Sequence, residues 1–120
     1  METDSGDFMD DCIFCKIAKG EIPAEKLLET DELVAFKDIH PAAPFHALIV
    51  PREHVATLND TAGKELLLGR MLSAAREVAR KAGVDEAGYR TVINCNRGAG
   101  QEVFHLHMHV LGGRALGHMG

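Results

Sequence analysis

The stretch FHLHMHVLGG, residues 104–113, places histidines at positions 105, 107 and 109, with an apolar residue between each pair. This alternation predicts a β-strand, because successive side chains of a strand point to opposite faces. The apolar side chains would face a core, and His105, His107 and His109 would share the other face. At a rise of about 3.3 Å per residue the first and third histidines lie about 13 Å apart, so neighbours could share a metal ion but all three could not. Imidazole suits proton transfer, phosphate contact and metal ligation near neutral pH, so we expect a functional site here.

The rest of the chain predicts further strands on both sides of one helix. Apolar runs bounded by turn residues and prolines indicate strands within residues 21–30, 32–39, 46–50, 89–96 and 103–113. Leu67, Met71, Ala74 and Val78 recur at helical spacing within the long segment 61–82. Asp60 or Thr61 would cap the start of this helix and Gly83 would close its end, and residues 12–20 indicate a short helix. Strands, one long helix and then strands predict an antiparallel α+β domain rather than alternating βαβ units.

Composition limits what the chain can be. Its 120 residues fit one domain. Five of the 18 acidic residues fall in positions 1–11, which predicts a flexible acidic tail and a nearly neutral domain over residues 12–120. A nearly neutral domain argues against sequence-independent binding of nucleic acid, because such binding requires a clustered basic surface. The sequence has neither a run of about 20 apolar residues nor the features of a signal peptide, so we predict a cytoplasmic protein that does not insert into membranes.

A glycine-rich loop, residues 97–102, comes directly before the histidine stretch. The backbone N–H groups of Gly98 to Gly100 could approach an anion without obstruction from Cβ atoms. No Gly-Lys-Ser/Thr follows, so the loop is not a P-loop, and alone it would be read as a hairpin turn. Beside three histidines it favours a phosphate site, because imidazoles and amide donors can supply a nucleophile, charge neutralisation and a proton without magnesium.

The histidine stretch resembles a known signature. Residues 105–111, HLHMHVL, resemble the His-Φ-His-Φ-His-Φ-Φ motif of the histidine-triad (HIT) nucleotide-binding proteins, and the likeness covers about Cys12 to Arg114. The ending LGGRALGHMG is similar to the branch that hydrolyses purine nucleoside phosphoramidates, whereas the branch that cleaves dinucleoside polyphosphates lacks such a tail. The resemblance implies about five antiparallel strands, one long helix and one short amino-terminal helix. It also implies a homodimer with a continuous sheet, and Leu66, Leu68 and Leu72 extend the apolar surface of the long helix beyond one stripe.

The resemblance implies specific roles in a hydrolase acting on AMP- or GMP-type phosphoramidates. His107 would attack the α-phosphate to give a nucleotidyl-histidine, water would release the nucleoside monophosphate, and His109 and His46 would contact the phosphate. Many animal relatives carry serine where this chain has Glu102, which indicates a bacterial source. The remaining implied nucleotide-binding residues are Ile13, Phe14, Phe36, Asp38, Ile39, Asn94, Gly100, Gln101, Glu102 and Val103. The alternative interpretation of the apolar members of this set is that they are simple core residues. A dinucleoside polyphosphate hydrolase and a nucleotide-binding scaffold with little turnover are the alternatives.

Cys12 and Cys15 form a Cys-x-x-Cys pair. Two thiolates at this spacing can bind one side of a tetrahedral ion, although a redox pair or two buried thiols would give the same pattern. Metal-binding relatives resemble this chain at Cys12, Cys15, His54 and His105, so the resemblance implies structural zinc at these four residues. In that arrangement His105 turns to the metal while the other two histidines of the motif face the phosphate. Three cysteines fit a reducing compartment, and the third, Cys95, belongs to no pair.

Overall fold

Across the residues that the structure describes, five strands form one antiparallel sheet. The computed structural model describes residues 11–119. The predicted acidic tail, residues 1–11, therefore lies outside the described residues except for Asp11. The elements in chain order are α1 (Ile13–Ala18), β1 (Lys26–Glu29), β2 (Leu33–Lys37), β3 (Phe45–Pro51), α2 (Glu65–Ala82), β4 (Tyr89–Val92) and β5 (Met108–Gly112), with short 3₁₀ turns at Leu58–Asp60 and Arg97–Ala99. The strands lie side by side in the order β1-β2-β3-β5-β4. This arrangement confirms the α+β prediction of five antiparallel strands with one long and one short helix.

The sheet carries one helix on each face, and alternation along β3 shows how. Ala47 and Ile49 belong to the core that α2 covers, together with Met71 and Val78 of the helix. Leu48 and Val50 point to the opposite face, where they belong to a second cluster with residues of α1. The sheet is therefore buried on both faces, and the face covered by α1 also receives the even-numbered residue His46.

The histidine stretch is only partly a strand. β5 begins at Met108, so His105 and His107 precede the ladder and the 13 Å spacing predicted from a regular strand does not apply. The reason is a different set of backbone partners, since the N–H of Leu106 donates to the carbonyl of Val55, in the loop after β3, at 2.6 Å. The burial prediction still holds, because Leu106, Met108 and Val110 are 1%, 3% and 0% exposed.

The long helix begins later than the sequence indicated. Thr57 is the N-cap of the short turn Leu58–Asp60, and the Asp60 side chain completes a reciprocal capping box with it. Asp60 therefore belongs to that turn, and α2 starts at Glu65 rather than near Thr61. Its end agrees with the prediction, because Gly83 adopts the left-handed conformation with φ of 77°. None of the helices within residues 11–119 has the length and apolar character needed to cross a membrane.

Candidate active site

His107 is oriented by the backbone just before it. Its Nδ1 lies 2.7 Å from the carbonyl oxygen of His105. Because a carbonyl only accepts, Nδ1 carries the hydrogen, and Nε2 of the neutral ring carries the lone pair. Burial lowers the pKa of His107, although the carbonyl of His105 opposes this shift. Its ring lies edge-on to Phe14, with centroids 5.0 Å apart. The residue is therefore a neutral imidazole with an available nucleophilic nitrogen.

His105 turns away from His107 and towards the cysteines. Its side chain is fully buried, and Nε2–H donates to the carbonyl oxygen of Pro51 at 2.7 Å. The lone pair is therefore on Nδ1, which lies 3.3 Å from Sγ of Cys12 and 3.4 Å from Sγ of Cys15. Burial is the main cause that lowers the pKa of His105, to about 4. The first histidine of the motif thus presents a lone pair to two sulfur atoms.

The four residues of the predicted metal site come together. His54 Nδ1 lies 3.3 Å from Sγ of Cys15, and the ligand atoms of Cys12, Cys15, His54 and His105 all lie within 4.8 Å of one another. A tetrahedral ion with bonds of about 2.0–2.3 Å would hold its ligand atoms about 3.5 Å apart, close to the observed separations. The donor set and its spacing therefore fit a metal ion. The cluster joins α1 to the loop after β3 and to the segment that precedes β5.

Asp38, His46 and His109 also place potential ligand atoms within 4.8 Å of one another, but their hydrogen bonds argue against a metal. The backbone N–H of Ala42 donates to His46 Nδ1 at 3.0 Å, so the hydrogen of neutral His46 is on Nε2. Nε2–H then donates to His109 Nδ1 at 2.9 Å, with Asp38 Oδ2 at 3.5 Å. A metal bound at His46 Nε2 would need a lone pair there, where this arrangement places a hydrogen. Burial is the main cause that lowers the pKa of both histidines, that of His109 to about 4.

A cavity of about 480 Å³ opens beside the histidines. Eleven of the twelve residues predicted to bind the nucleotide line it, and the exception is Gln101. The Gln101 side chain instead accepts a hydrogen bond from the N–H of Asn96 at 2.7 Å and donates to the carbonyls of Ala56 and Val103. Gln101 therefore stabilises the conformation of the glycine loop without lining the cavity. The eleven lining residues are Ile13, Phe14, Phe36, Asp38, Ile39, Asn94, Gly100, Glu102, Val103, His107 and His109.

The glycine loop differs from the expected row of free amides. The N–H of Ala99 donates to the carbonyl of Asn96 at 3.2 Å, and that of Gly100 donates to the carbonyl of Arg97 at 3.0 Å. These two donors are used within the 3₁₀ turn. Gly100 has φ of 95°, which a residue with a side chain adopts only with strain. In this structure the glycine allows a tight turn, and we assign no anion-binding role to these two amides.

Within residues 11–119, the cavity is lined by seven further residues, and the sequence alone singled out none of them. Ile17 follows Phe14 by three positions on α1, and Leu48 follows His46 by two positions on β3, so helical and strand periodicity would have found both. His40 has no comparable pattern, although its backbone N–H donates to Asp38 Oδ1 at 2.8 Å. The seven are Ile17, Ile22, Pro23, Ala24, Lys37, His40 and Leu48.

The histidine arrangement and the fold agree with comparisons to known proteins. The sequence model of the HIT domain matches residues 19–116. The chain belongs to the HIT domain family. Its sequence is 50% identical over 105 residues to the protein HitA of Neisseria gonorrhoeae, covering 87% of this chain and 97% of HitA. It is 47% identical over 111 residues to the purine nucleoside phosphoramidase of Escherichia coli strain K12, covering 92% of this chain and 93% of that enzyme.

Solved structures of HIT proteins share the fold. A HIT family hydrolase from Legionella pneumophila is 50% identical and superposes with a TM-score of 0.85, over 88% of this chain and 95% of that chain. A histidine triad protein from Clostridium difficile is 41% identical, with a TM-score of 0.88 and complete coverage of both chains. The family resemblance inferred from the histidine motif is therefore confirmed.

Proposed function

We propose that this HIT protein is a purine nucleoside phosphoramidase, which hydrolyses the P–N bond of adenosine or guanosine 5′-phosphoramidates to release AMP or GMP. The observation that carries the proposal is His107, a neutral imidazole with its lone pair on Nε2 and its ring in the wall of the 480 Å³ cavity. A cavity of this size lies within the usual range for small-molecule sites, about 300–1,000 Å³. The broad class, a hydrolase, is that of its relatives from Legionella and Escherichia.

The reaction would run in two displacements through His107. The Nε2 lone pair attacks the α-phosphorus and the P–N bond breaks. The electron pair of the P–N bond goes to the leaving nitrogen, which takes a proton from solvent. The product of this step is a nucleotide bound to His107. Water then attacks the same phosphorus, the bond to Nε2 breaks, and the lone pair returns to the ring as a proton passes to solvent. Splitting one displacement into two favours an imidazole, which both attacks and leaves well.

The cavity offers distinct surfaces for each part of the substrate. The side chains of Ile13, Phe14, Phe36 and Ile39 form apolar walls suited to a purine ring. Asp38 provides a carboxylate near the histidines that would bind ribose hydroxyls. Asn94, Gly100, Glu102 and Val103 complete the wall on the side of the loop before β5, and Gln101 acts indirectly by fixing that loop. His109 would donate to a phosphate oxygen.

We propose that the metal cluster holds structural zinc. Two cysteines and two histidines satisfy a tetrahedral ion completely, which leaves no open position for substrate or water. Cys12, Cys15, His54 and His105 would therefore bind the ion as a tie between chain segments, and the hydrolysis would depend on His107 alone as nucleophile.

We propose that the working form is a homodimer. Leu66 and Leu72 on α2 are 65% and 56% exposed, and β4 lies at one edge of the sheet. Leu68, by contrast, packs against the core, so only two of the three leucines noted in the sequence are available to a partner. Pairing through α2 and β4 would cover these leucines and give the edge strand a neighbour.

A substrate comparison tests the proposed activity. Release of AMP from adenosine 5′-phosphoramidate should be faster, in kcat/KM, than release of mononucleotide from diadenosine polyphosphates. The reverse preference would indicate a dinucleoside polyphosphate hydrolase. Tight AMP binding with turnover no greater than that of His107→Ala would indicate a scaffold. Either result would overturn the proposal.

A further inference from the structure

His46 lies behind His109 rather than in the wall of the cavity. Its side chain is buried, with 7% exposure, and it is not among the residues that line the cavity. In the β3–β5 ladder His109 lies opposite Leu48, so His46 is its diagonal neighbour on the same face. Both ring nitrogens of His46 face groups of the protein, Nδ1 towards the N–H of Ala42 and Nε2 towards His109 and Asp38. A direct contact between His46 and a phosphate does not fit this geometry.

We infer that His46 is a positioning residue that fixes the tautomer of His109. The backbone N–H of Ala42 can only donate, so it holds Nδ1 of His46 as an acceptor and places the His46 hydrogen on Nε2. Nε2–H donates to Nδ1 of His109 at 2.9 Å, which makes that nitrogen an acceptor in turn. The hydrogen of neutral His109 is therefore on Nε2. A backbone amide outside the cavity thus determines that His109 presents a donor.

The tautomer decides whether His109 attracts or repels a phosphate oxygen. With hydrogen on Nε2, a neutral ring still donates a hydrogen bond to developing negative charge. With hydrogen on Nδ1, the same ring would present a lone pair to that charge. Asp38 Oδ2, 3.5 Å from His46 Nε2, also favours hydrogen on that nitrogen. The catalytic consequence of this relay rests on the proposed function, whereas the tautomers are a property of the free protein.

Long-range ¹H–¹⁵N correlation spectra of the ligand-free full-length protein at neutral pH test directly whether the hydrogen bonds from Ala42 through His46 fix the tautomer of His109. In the wild type, His109 should show unprotonated Nδ1 and protonated Nε2. In His46→Leu this assignment should be lost or mixed. In His46→Gln it should return, because the amide oxygen can accept from Ala42 and the amide nitrogen can donate to His109. Hydrogen on Nδ1 in the wild type, or an unchanged tautomer in His46→Leu, would overturn the inference. Unfolding midpoints of the variants identify any that are misfolded.

A double-mutant cycle separates positioning from direct phosphate contact. We expect His46→Leu to lower kcat by about tenfold or more, as loss of an oriented donor does. In a His109→Ala background the same change should have little further effect, because its partner is already absent. If the two substitutions lower kcat by independent factors that multiply, His46 acts on the substrate independently of His109, and the inference is overturned. A wild-type protein without phosphoramidase activity would defeat the proposed function instead, and the tautomer spectra would still decide the role of His46.

Discussion

The histidines of this protein differ in which ring nitrogen carries a hydrogen, because each contacts a different backbone group. His105 donates from Nε2 to the carbonyl of Pro51, His107 donates from Nδ1 to the carbonyl of His105, and His46 accepts at Nδ1 from the N–H of Ala42. Each contact selects one tautomer and so determines which nitrogen carries a lone pair. The motif predicted that imidazoles would be close together, but it did not specify these contacts. The Pro51 carbonyl lies 54 positions from His105 in sequence, whereas the partners of His107 and His46 are only two and four positions away. Even these local contacts depend on how the backbone bends around each ring, which the sequence pattern does not specify.

Substitution of His107, the proposed nucleophile, tests the mechanism. His107→Ala should lower turnover of adenosine 5′-phosphoramidate by several orders of magnitude and leave AMP binding largely intact, because the cavity walls remain. Rapid-quench labelling of the wild type should trap a nucleotidyl adduct on His107. His109→Ala should be less damaging, since it removes stabilisation of phosphate charge but keeps the attacking atom. Near-normal turnover by His107→Ala, or an adduct on another residue, would contradict the mechanism.

The second prediction concerns the stability of the fold as a function of pH. Burial, followed by the neighbouring rings of His107 and His46, lowers the pKa of His109 from 6.5 to about 4, and Asp38 opposes this shift. The unfolded chain therefore binds a proton at this residue more readily than the folded chain does. The stabilisation is present above pH 6.5 and is lost as the pH falls towards about 4. Between these values, urea unfolding should show a steeper loss of free energy in the wild type than in His109→Asn. Equal slopes would refute the assignment.

Among the secondary-structure elements, the regular strands and both helices were predictable, whereas the course of the segment that precedes β5 was not. Alternation identified Leu106, Met108 and Val110 as core residues even though β5 begins only at Met108. The segment before it departs from the ladder because Leu106 pairs with Val55 and His105 with Pro51, both in or after β3. Such pairings join residues about 50 positions apart, so local periodicity does not report them.

The third prediction concerns the link between α1 and the segment before β5. Cys12→Ser should lower bound zinc and the thermal unfolding midpoint, because the cluster of Cys12, Cys15, His54 and His105 joins distant parts of the chain. Cys95→Ser is the matched control, since Cys95 lies outside the cluster and is only partly buried. Elemental analysis of protein purified without chelator provides the measurement. Unchanged zinc in Cys12→Ser, or an equal loss in Cys95→Ser, would argue against the site.

Across the fold, the strand order brings together the histidines of the candidate active site. The chain leaves β3, passes through α2 and β4, and returns to insert β5 between β3 and β4. This return places His46 of β3 beside His109 of β5, residues 63 positions apart in sequence. The sequence predicted five antiparallel strands, and the family resemblance predicted a shared site. The neighbours of β5 depend on long-range packing that no local pattern specifies.

The last prediction concerns assembly. Sedimentation at micromolar concentration should give a species of twice the 13.0 kDa chain mass, because a monomer leaves Leu66 and Leu72 exposed on α2 and leaves β4 at a sheet edge. Leu72→Glu should shift this species towards the monomer, since a partner helix would have to bury a carboxylate. Lys19→Glu is the control for added negative charge, because Lys19 is exposed at the end of α1 on the opposite face of the sheet. A wild type that sediments only at the chain mass would refute the dimer. A dimer unaffected by Leu72→Glu would place the interface away from this part of α2, and β4 would then be the surface to test.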